Sequence, residues 1–375
     1  MEPFWFGTPL QRITVVAAWL YLIGVFASWM LLRYWSEENI LATLIAYGPR
    51  TVALWPLALL VPAAVFWGRS SLWLLAIAAG IIVFPILGVR VSPGTWNASL
   101  PATPAPGTVR ILTFNTQSGG ALSYDLSILL REFAPDVFTF QECGDQLWAA
   151  MEAEKGWFTR RYGSLCTGSR WKIERIDSMP RADLERVQQF GFGGAGFVLR
   201  TVVQSPMGRF AVINLHLETA RRGLEGMFGR EGIVPDSPFP GGQAGVPADD
   251  ARQAGAVSRL ERFRVNTMIR NKESALASRW VTTGIDDMPY LIAGDFNLPV
   301  ESTIFRAHWG HFVNAFEATG NGLGWTKHEG RWLRIRIDHV LSGERGFMPL
   351  FVRAVPDYRS DHRPVVADYK WPGSS

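Results

Sequence analysis

The sequence predicts an α/β domain, a sandwich of two sheets with helices outside, preceded by about three transmembrane helices. Three features carry this expectation. The first ninety residues hold three long apolar runs that are almost free of charge. A Pro-, Ala- and Ser-rich stretch at 91–107 then breaks the pattern. From Val109 onward, short alternating strand patterns outnumber helical ones and mix with them in order.

The apolar runs come first. Residues 14–32 carry no charge and end at Arg33; 51–67 end before Arg69; 71–89 end at Arg90. Each is close to the roughly 20 residues a helix needs to cross a bilayer. Trp and Tyr sit near several ends, where interfacial anchors belong. The run 40–47 is too short to span. A cleaved signal peptide fits poorly, because the three runs follow one another and no small-x-small site stands out. This predicts a transmembrane region at 1–90, a linker at 91–107 and a second domain at 108–375. With three spans, Arg12 and Arg69 share one side, against Arg33, Arg50 and Arg90 on the other. That count favours a cytoplasmic domain by one residue.

In the second domain, strands are expected at 109–115, 137–142, 196–203, 209–218, 290–296, 334–341 and 364–369. Helices are expected at 123–133, with Pro135 just past the end, and at 249–280, which opens on Asp249 and Asp250 and carries its bases later. The Gly- and Pro-rich segment 223–247 reads as a long loop.

Composition narrows the chemistry. Formal net charge is only +4 over 375 residues, a weak footprint for a protein that coats nucleic acid. The two cysteines, Cys143 and Cys166, are too few for a disulfide scaffold. They are either unrelated thiols or one disulfide on an oxidising side of a membrane. No Cys/His cluster has zinc spacing.

Strand alternation shows which groups share a face. Asn214, His216 and Glu218 point one way, while Ile213, Leu215 and Leu217 point into apolar packing. Asp295 and Asn297 face together and Phe296 packs. Asp338 faces opposite to His339. Glu142 and Asn115 end their strands, and Asp361 and His362 precede the last one. Strand after strand thus delivers an oxygen or imidazole group near an end, a rigid place to hold reacting groups. His308, His311 and His328 read as surface or loop residues, His339 as packing, and Glu218 as a solvated strand end rather than a support for the site.

Carboxylates and amide oxygens suit a hard cation such as Mg2+ or Mn2+. Such an ion neutralises phosphate charge, and imidazoles contact phosphoryl oxygens or move protons. At this point the chain resembles the endonuclease/exonuclease/phosphatase superfamily, whose fold is DNase I-like. The superfamily includes pancreatic-type deoxyribonucleases, abasic-site endonucleases, inositol-polyphosphate 5-phosphatases and sphingomyelinases. The motifs are Thr113-Phe114-Asn115, Phe140-Gln141-Glu142, Asn214-Leu215-His216, Gly294-Asp295-Phe296-Asn297, Ile337-Asp338-His339 and Ser360-Asp361-His362-Arg363-Pro364-Val365, in the family's order.

The resemblance implies roles for these residues. Glu142 is the main metal ligand, with Asn115 beside it and Asp361 a metal-proximal carboxylate. Asp295 orients or deprotonates the attacking water, and Asn297 helps on the phosphate. His362, paired with Asp338, binds the scissile phosphate, and His216 contacts phosphate or protonates the leaving group. The implied activity is Mg2+-dependent hydrolysis of a phosphodiester or pyrophosphate by in-line attack of water. A lipid-linked phosphoester is the favoured substrate, because the spans hold the site near the bilayer. A nuclease is the alternative, with nucleic acid the less favoured partner. A catalytically inactive, membrane-tethered binding module is the alternative of a different class. The chain also resembles bacterial membrane-bound members of the superfamily, some linked to glycopeptide-antibiotic resistance. That likeness implies a multi-pass plasma-membrane protein with an extracytoplasmic catalytic domain, against the one-residue Arg count.

Overall fold

A computed structural model describes residues 8–96, 98–180, 197–221, 223–224, 259–285, 288–329, 333–344, 346–355 and 358–373. It divides into two compact units. One comprises Met1–Arg90 with Glu301–Thr303 and Gly330–Arg334, and the other the remainder.

The first unit is helical. Helix α1 (Pro9–Trp35) starts at Thr8, whose hydroxyl accepts the Gln11 N–H, with Pro at its first position. Helix α2 (Ile40–Tyr47) is capped by the Asn39 side chain. Helix α3 (Leu57–Trp67) follows a 3-10 turn, and α4 (Leu72–Ile81) continues into a π turn at Ile82–Ile86 that contains Pro85. Three segments, Pro9–Trp35, Arg50–Trp67 and Arg69–Ile86, are long and apolar enough to cross a membrane. Ala18 and Ala64 lie with Leu74 and Leu75 in the small core of this unit, where short side chains let helices approach closely. Leu59 and Phe66 are 78% and 77% exposed. Apolar side chains turned outward in such numbers are the inverse of a water-soluble bundle.

The second unit runs β1 (Thr108–Asn115), α5 (Leu122–Phe133), β2 (Val137–Gln141), α6 (Asp145–Ala153), β3 (Phe158–Tyr162), β4 (Leu165–Ser169), β5 (Lys172–Ser178), β6 (Phe197–Ser205), β7 (Gly208–His216), α7 (Arg259–Trp280) and β8 (Tyr290–Asp295). It continues with α8 (Thr303–His308), β9 (Val313–Asn314), α9 (Ala315–Thr319), β10 (Lys327–Glu329), β11 (Leu333–Ile335), β12 (Asp338–Ser342), β13 (Met348–Ala354) and β14 (Val365–Lys370). Among the described residues there are two six-stranded sheets, ordered β13-β14-β1-β2-β4-β3 and β5-β6-β7-β8-β12-β9. Both are mixed: β1 runs parallel to β2 and β7 parallel to β8, and the other neighbouring strands are antiparallel.

Alternation along the strands builds three cores. Val109, Ile111, Val212, Leu291, Ala293, Val340 and Ala367 fill the space between the sheets. Ile213, Leu215 and Leu217 point the other way, against Ala277 and Val281 around α7. Phe138 and Phe140 meet Leu126, Leu129 and Leu147 of α5 and α6. The layers are therefore helix, sheet, sheet, helix, the DNase I-like sandwich expected from sequence.

Several elements differ from expectation. The anticipated strand at 334–341 is broken between β11 and β12. Strands β3, β4, β5, β9, β10 and β13 and helices α6, α8 and α9 were not anticipated. In β4, Leu-Cys-Thr-Gly-Ser has weak strand propensity, yet all five residues are buried. Gly168 is needed there, because a Cβ would come within 2.2 Å of the Phe138 ring. The long loop at 223–247, save residues 223 and 224, and the first ten residues of the 249–280 helix lie outside the described residues. The stretch after Arg90 is partly pinned: Ser92 N–H donates to Asn321 Oδ1 at 2.7 Å and Thr95 Oγ1 to the Thr319 carbonyl at 2.6 Å.

Candidate active site

Strand register brings the polar strand ends together. In the second sheet, His216 of β7 lies opposite Asp295 of β8, and Asp295 opposite Asp338 of β12. In the first, Asn115 of β1 lies opposite Gln141 of β2, and Glu142 follows directly. A buried amide pair joins the sheets beneath them: Gln141 Nε2 donates to Asn214 Oδ1 at 2.8 Å, and Asn214 Nδ2 to the Cys166 carbonyl at 2.9 Å.

The side chains above form one continuous array. Asn115 Nδ2 donates to Glu142 Oε1 at 3.1 Å and to Asp295 Oδ2 at 3.0 Å, so one amide bridges two carboxylates. His216 Nε2 lies 3.9 Å from Glu142 Oε1 and 3.6 Å from Asp295 Oδ2. His362 Nε2 is 3.7 Å from Asp295 Oδ2, and its Nδ1 pairs with Asp338 Oδ2 at 2.9 Å. Asp361 Oδ1 lies 3.9 Å from His362 Nε2. Asn297 sits behind this row, donating from Nδ2 to the Leu217 carbonyl and from its backbone N–H to Asp295 Oδ1. All eight residues singled out from sequence thus lie in one linked cluster.

Backbone geometry aims two of them. Glu142 has φ +53 and Asn297 φ +52. Simple alternation would send Glu142 toward the helix layer with Phe138 and Phe140. The left-handed turn carries it back to Asn115, a strain of roughly 1–3 kcal/mol that the surrounding structure sustains. Thr116 Oγ1 donates to the carbonyls of Gln141 and Glu142 and steadies that turn. Cys143, next in sequence, is bonded to Cys166 with the two Cα atoms 5.9 Å apart. The cysteines form a disulfide, one of the two readings left open by sequence, and it fastens the end of β2 to β4.

Electrostatics follow from burial and crowding. Burial pushes the Asp295 carboxyl up, and the Asp338 charge pushes the same way, against His362, His216 and Lys327. For His362 burial disfavours the imidazolium, but the Asp338 and Asp295 carboxylates outweigh it and the net shift is upward. Asp361 is raised by burial, yet the His362 and Lys327 charges bring it below the usual carboxylate range.

Four carboxylates crowd the cluster, and Asp338 Oδ1 is buried with no hydrogen-bond partner among the described residues. That donor set fits a hard cation. Among the described residues, Asp295, Asp338 and His362 offer candidate ligand atoms that all lie within 4.8 Å of one another. His362 Nδ1 is already engaged by Asp338, however, and all three residues are almost fully buried. Mg2+ keeps several waters. The accessible carboxylate beside Asn115 is Glu142, whose side chain is 20% exposed, and it suits such an ion better.

Sequence reasoning missed several supporting groups. Ser360 Oγ donates to the Asn115 carbonyl at 2.8 Å and accepts the His362 N–H, tying the last loop to β1. Thr326 Oγ1 accepts the backbone N–H groups of Ile337 and Asp338. Arg270 reaches the Asn297 carbonyl from α7. Lys327 Nζ lies 2.7 Å from Asp361 Oδ2. Glu218 is not a solvated strand end: it is 3% exposed, and its N–H donates to Glu273 Oε2 at 2.6 Å. His339 is a packing residue, its ring against Phe296 and Phe305 and its Nε2 at 2.8 Å from the Leu298 carbonyl.

Comparison with solved structures finds similarities at low identity. A humanised TDP2 from D. rerio is 14% identical, with a TM-score of 0.49 and coverage of 70% of this chain and 99% of that one. The 3'-5' exonuclease NExo from Neisseria meningitidis is 17% identical, with a TM-score of 0.46 and coverage of 70% and 100%. The human Nocturnin catalytic domain is 13% identical, with a TM-score of 0.45 and coverage of 71% and 94%. Comparison with curated protein sequences gives no match. The family model for the endonuclease/exonuclease/phosphatase family matches residues 112–362, from β1 through His362. That span holds every residue of the polar array, and the chain belongs to the endonuclease/exonuclease/phosphatase family.

Proposed function

We propose that this chain is a membrane-anchored, divalent-metal-dependent phosphoester hydrolase with an extracytoplasmic catalytic domain. The observation that carries the reading is the unbroken row from Glu142 through His216 and Asp295 to His362 and Asp361. Glu142, with Asn115 beside it, would hold Mg2+ or Mn2+, which supplies charge neutralisation to the phosphoryl and leaving oxygens. Asp295, its basicity raised by burial, accepts a proton from water as the water oxygen bonds to phosphorus in line with the leaving oxygen. The bond to the leaving oxygen breaks as that oxygen takes its electron pair and a proton, which His216 delivers. Asn297 and His362 hold the phosphoryl oxygens, and Asp338 fixes the ring of His362 through Nδ1.

Three apolar spans support anchoring, and anchoring favours a lipid-linked phosphodiester or pyrophosphate by raising its effective concentration at the site. The Cys143–Cys166 disulfide supports an oxidising compartment for the catalytic domain. The domain scheme that goes with this reading is a membrane region at 1–90, a connecting stretch at 91–107 and a catalytic domain at 108–375.

The test is hydrolysis of bis-p-nitrophenyl phosphate by the full chain in detergent. Turnover that requires Mg2+ or Mn2+ and drops at least about 100-fold in Asp295→Ala is expected. No turnover of any phosphoester with either ion would leave the inactive binding module as the better account. Parallel assays on DNA, phospholipid and lipid-linked pyrophosphate separate the lipid reading from the nuclease. An alkaline-phosphatase fusion at Gly107 should be active; an inactive one places the domain in the cytoplasm.

A further inference from the structure

Lys327 lies at the far end of the polar row, and none of the roles above uses it. Its Nζ is 2.7 Å from Asp361 Oδ2 and 3.0 Å from His362 Nε2. The side chain is only 19% exposed. The backbone fixes its position: Lys327 and His362 form an antiparallel bridge. On either side, the His328 N–H donates to the Asp361 carbonyl at 2.8 Å and the Arg363 N–H to the Thr326 carbonyl at 2.6 Å. The ammonium is therefore carried by the same ladder that carries Asp361 and His362. It does not swing in from a remote loop.

The Lys327 contact uses one oxygen of Asp361, because an ammonium only donates and a carboxylate only accepts. A second divalent ion at this end of the row would have to take that oxygen from Lys327 and sit within a few ångströms of a fixed positive charge. Glu142, at the other end, meets Asn115 and His216 and, among the described residues, no ammonium.

We propose that Lys327 is the second cation of this site: its ammonium stands at Asp361 and His362 where a two-ion centre would put another metal, and it contacts a non-bridging phosphoryl oxygen of the substrate. The chain then binds one divalent ion, at Glu142. Asp361 is a positioning residue for Lys327, not a metal ligand as its sequence motif suggested. A hydrated point charge on a flexible stem suits a tetrahedral phosphoryl group, and it can stay near Asp361 while it turns a second proton toward the substrate. This inference rests on the hydrolase reading, and the test keeps the two apart.

The measurement is Mn2+ stoichiometry on the full chain in detergent, read from the loss of the free-ion EPR signal and independent of turnover. Wild type should bind one Mn2+ per chain. Lys327→Met should bind two, and Lys327→Met with Asp361→Asn should return to one. Lys327→Arg should stay at one. Two ions in wild type, or one in Lys327→Met, overturns the proposal. If Lys327→Met loses its cooperative melt, Asp361→Asn alone decides. Mn2+ affinity should then stay within about threefold of wild type, whereas removal of a true ligand or its direct support costs roughly 10–100-fold. With Mg2+ present, Lys327→Met should hydrolyse bis-p-nitrophenyl phosphate about 100-fold more slowly, as for loss of one oriented donor to the transition state; an unchanged rate counts against the phosphoryl contact. A wild-type chain that binds no Mn2+ and hydrolyses nothing fails the hydrolase reading itself. A chain that hydrolyses and binds two ions fails only the role of Lys327.

Discussion

Gly294→Ala tests whether strand register builds the site. Gly294 has φ +151, and a Cβ there would stand 2.0 Å from the Leu215 carbonyl oxygen on the neighbouring parallel strand. That oxygen is backbone and cannot rotate away. Strands β7 and β8 must part by about 1 Å before the contact reaches even 3.0 Å. The next pair in register is His216 opposite Asp295, whose Nε2 and Oδ2 lie 3.6 Å apart. A displacement of about 1 Å at a reacting group costs on the order of 100-fold in rate. The expected result is therefore a roughly 100-fold loss of kcat on bis-p-nitrophenyl phosphate, in a protein that still melts cooperatively by circular dichroism. Gly284→Ala is the control. Its φ is +70 but a Cβ there meets nothing within 4 Å, so it carries backbone strain without the clash and should keep full activity. A Gly294→Ala chain that works within threefold of wild type would refute the argument.

Two further predictions concern stability. Arg110 is fully buried, donating to both Asp368 oxygens at 2.6 and 2.8 Å and to the Phe133 carbonyl. Asp368→Ala strands that guanidinium at a cost of about 3–5 kcal/mol, so Tm should fall by at least about 6 °C in a melt in detergent; a drop under about 2 °C would contradict it. For Asp361, burial raises the carboxyl but His362 and Lys327 bring it below its ordinary range in the folded state. A depressed folded pKa gives stability that is present above the unfolded value of about 3.9 and is lost as pH falls through the folded one. The Tm gap between wild type and Asp361→Asn should accordingly be constant above about pH 5 and shrink below about pH 4; a gap that stays flat down to pH 3 excludes the pairing with Lys327.

What could be read in the sequence depended on whether a residue's role follows from local pattern. Asp295 and His216 were legible because each ends an alternating strand, and alternation alone separates them from Phe296 and Leu215. Glu142 was legible by motif but not by alternation, since its left-handed backbone reverses the face a regular strand would give it. Strand β4 was hidden because Gly168 and Cys166 were chosen for the Phe138 ring and the disulfide, not for strand propensity. Glu218 was misread for a related reason: its burial depends on α7, which is distant in sequence, and a strand-end acid looks the same whether it meets solvent or a helix.

Lys327 marks the limit of such reading. It lies on a three-residue strand, in no recognised motif, and its place is set by backbone pairing on both sides of its bridge to His362. Among the described residues, nothing within ten positions of it in sequence belongs to the cluster it completes, apart from the backbone support of Thr326. A motif shows which groups a family shares. The charge balance among those groups depends on neighbours that only the folded chain supplies, and here one lysine alters it by pairing with Asp361 at 2.7 Å. The charge balance of such a row is therefore a property of tertiary packing, and it can differ between chains whose motifs agree at every position.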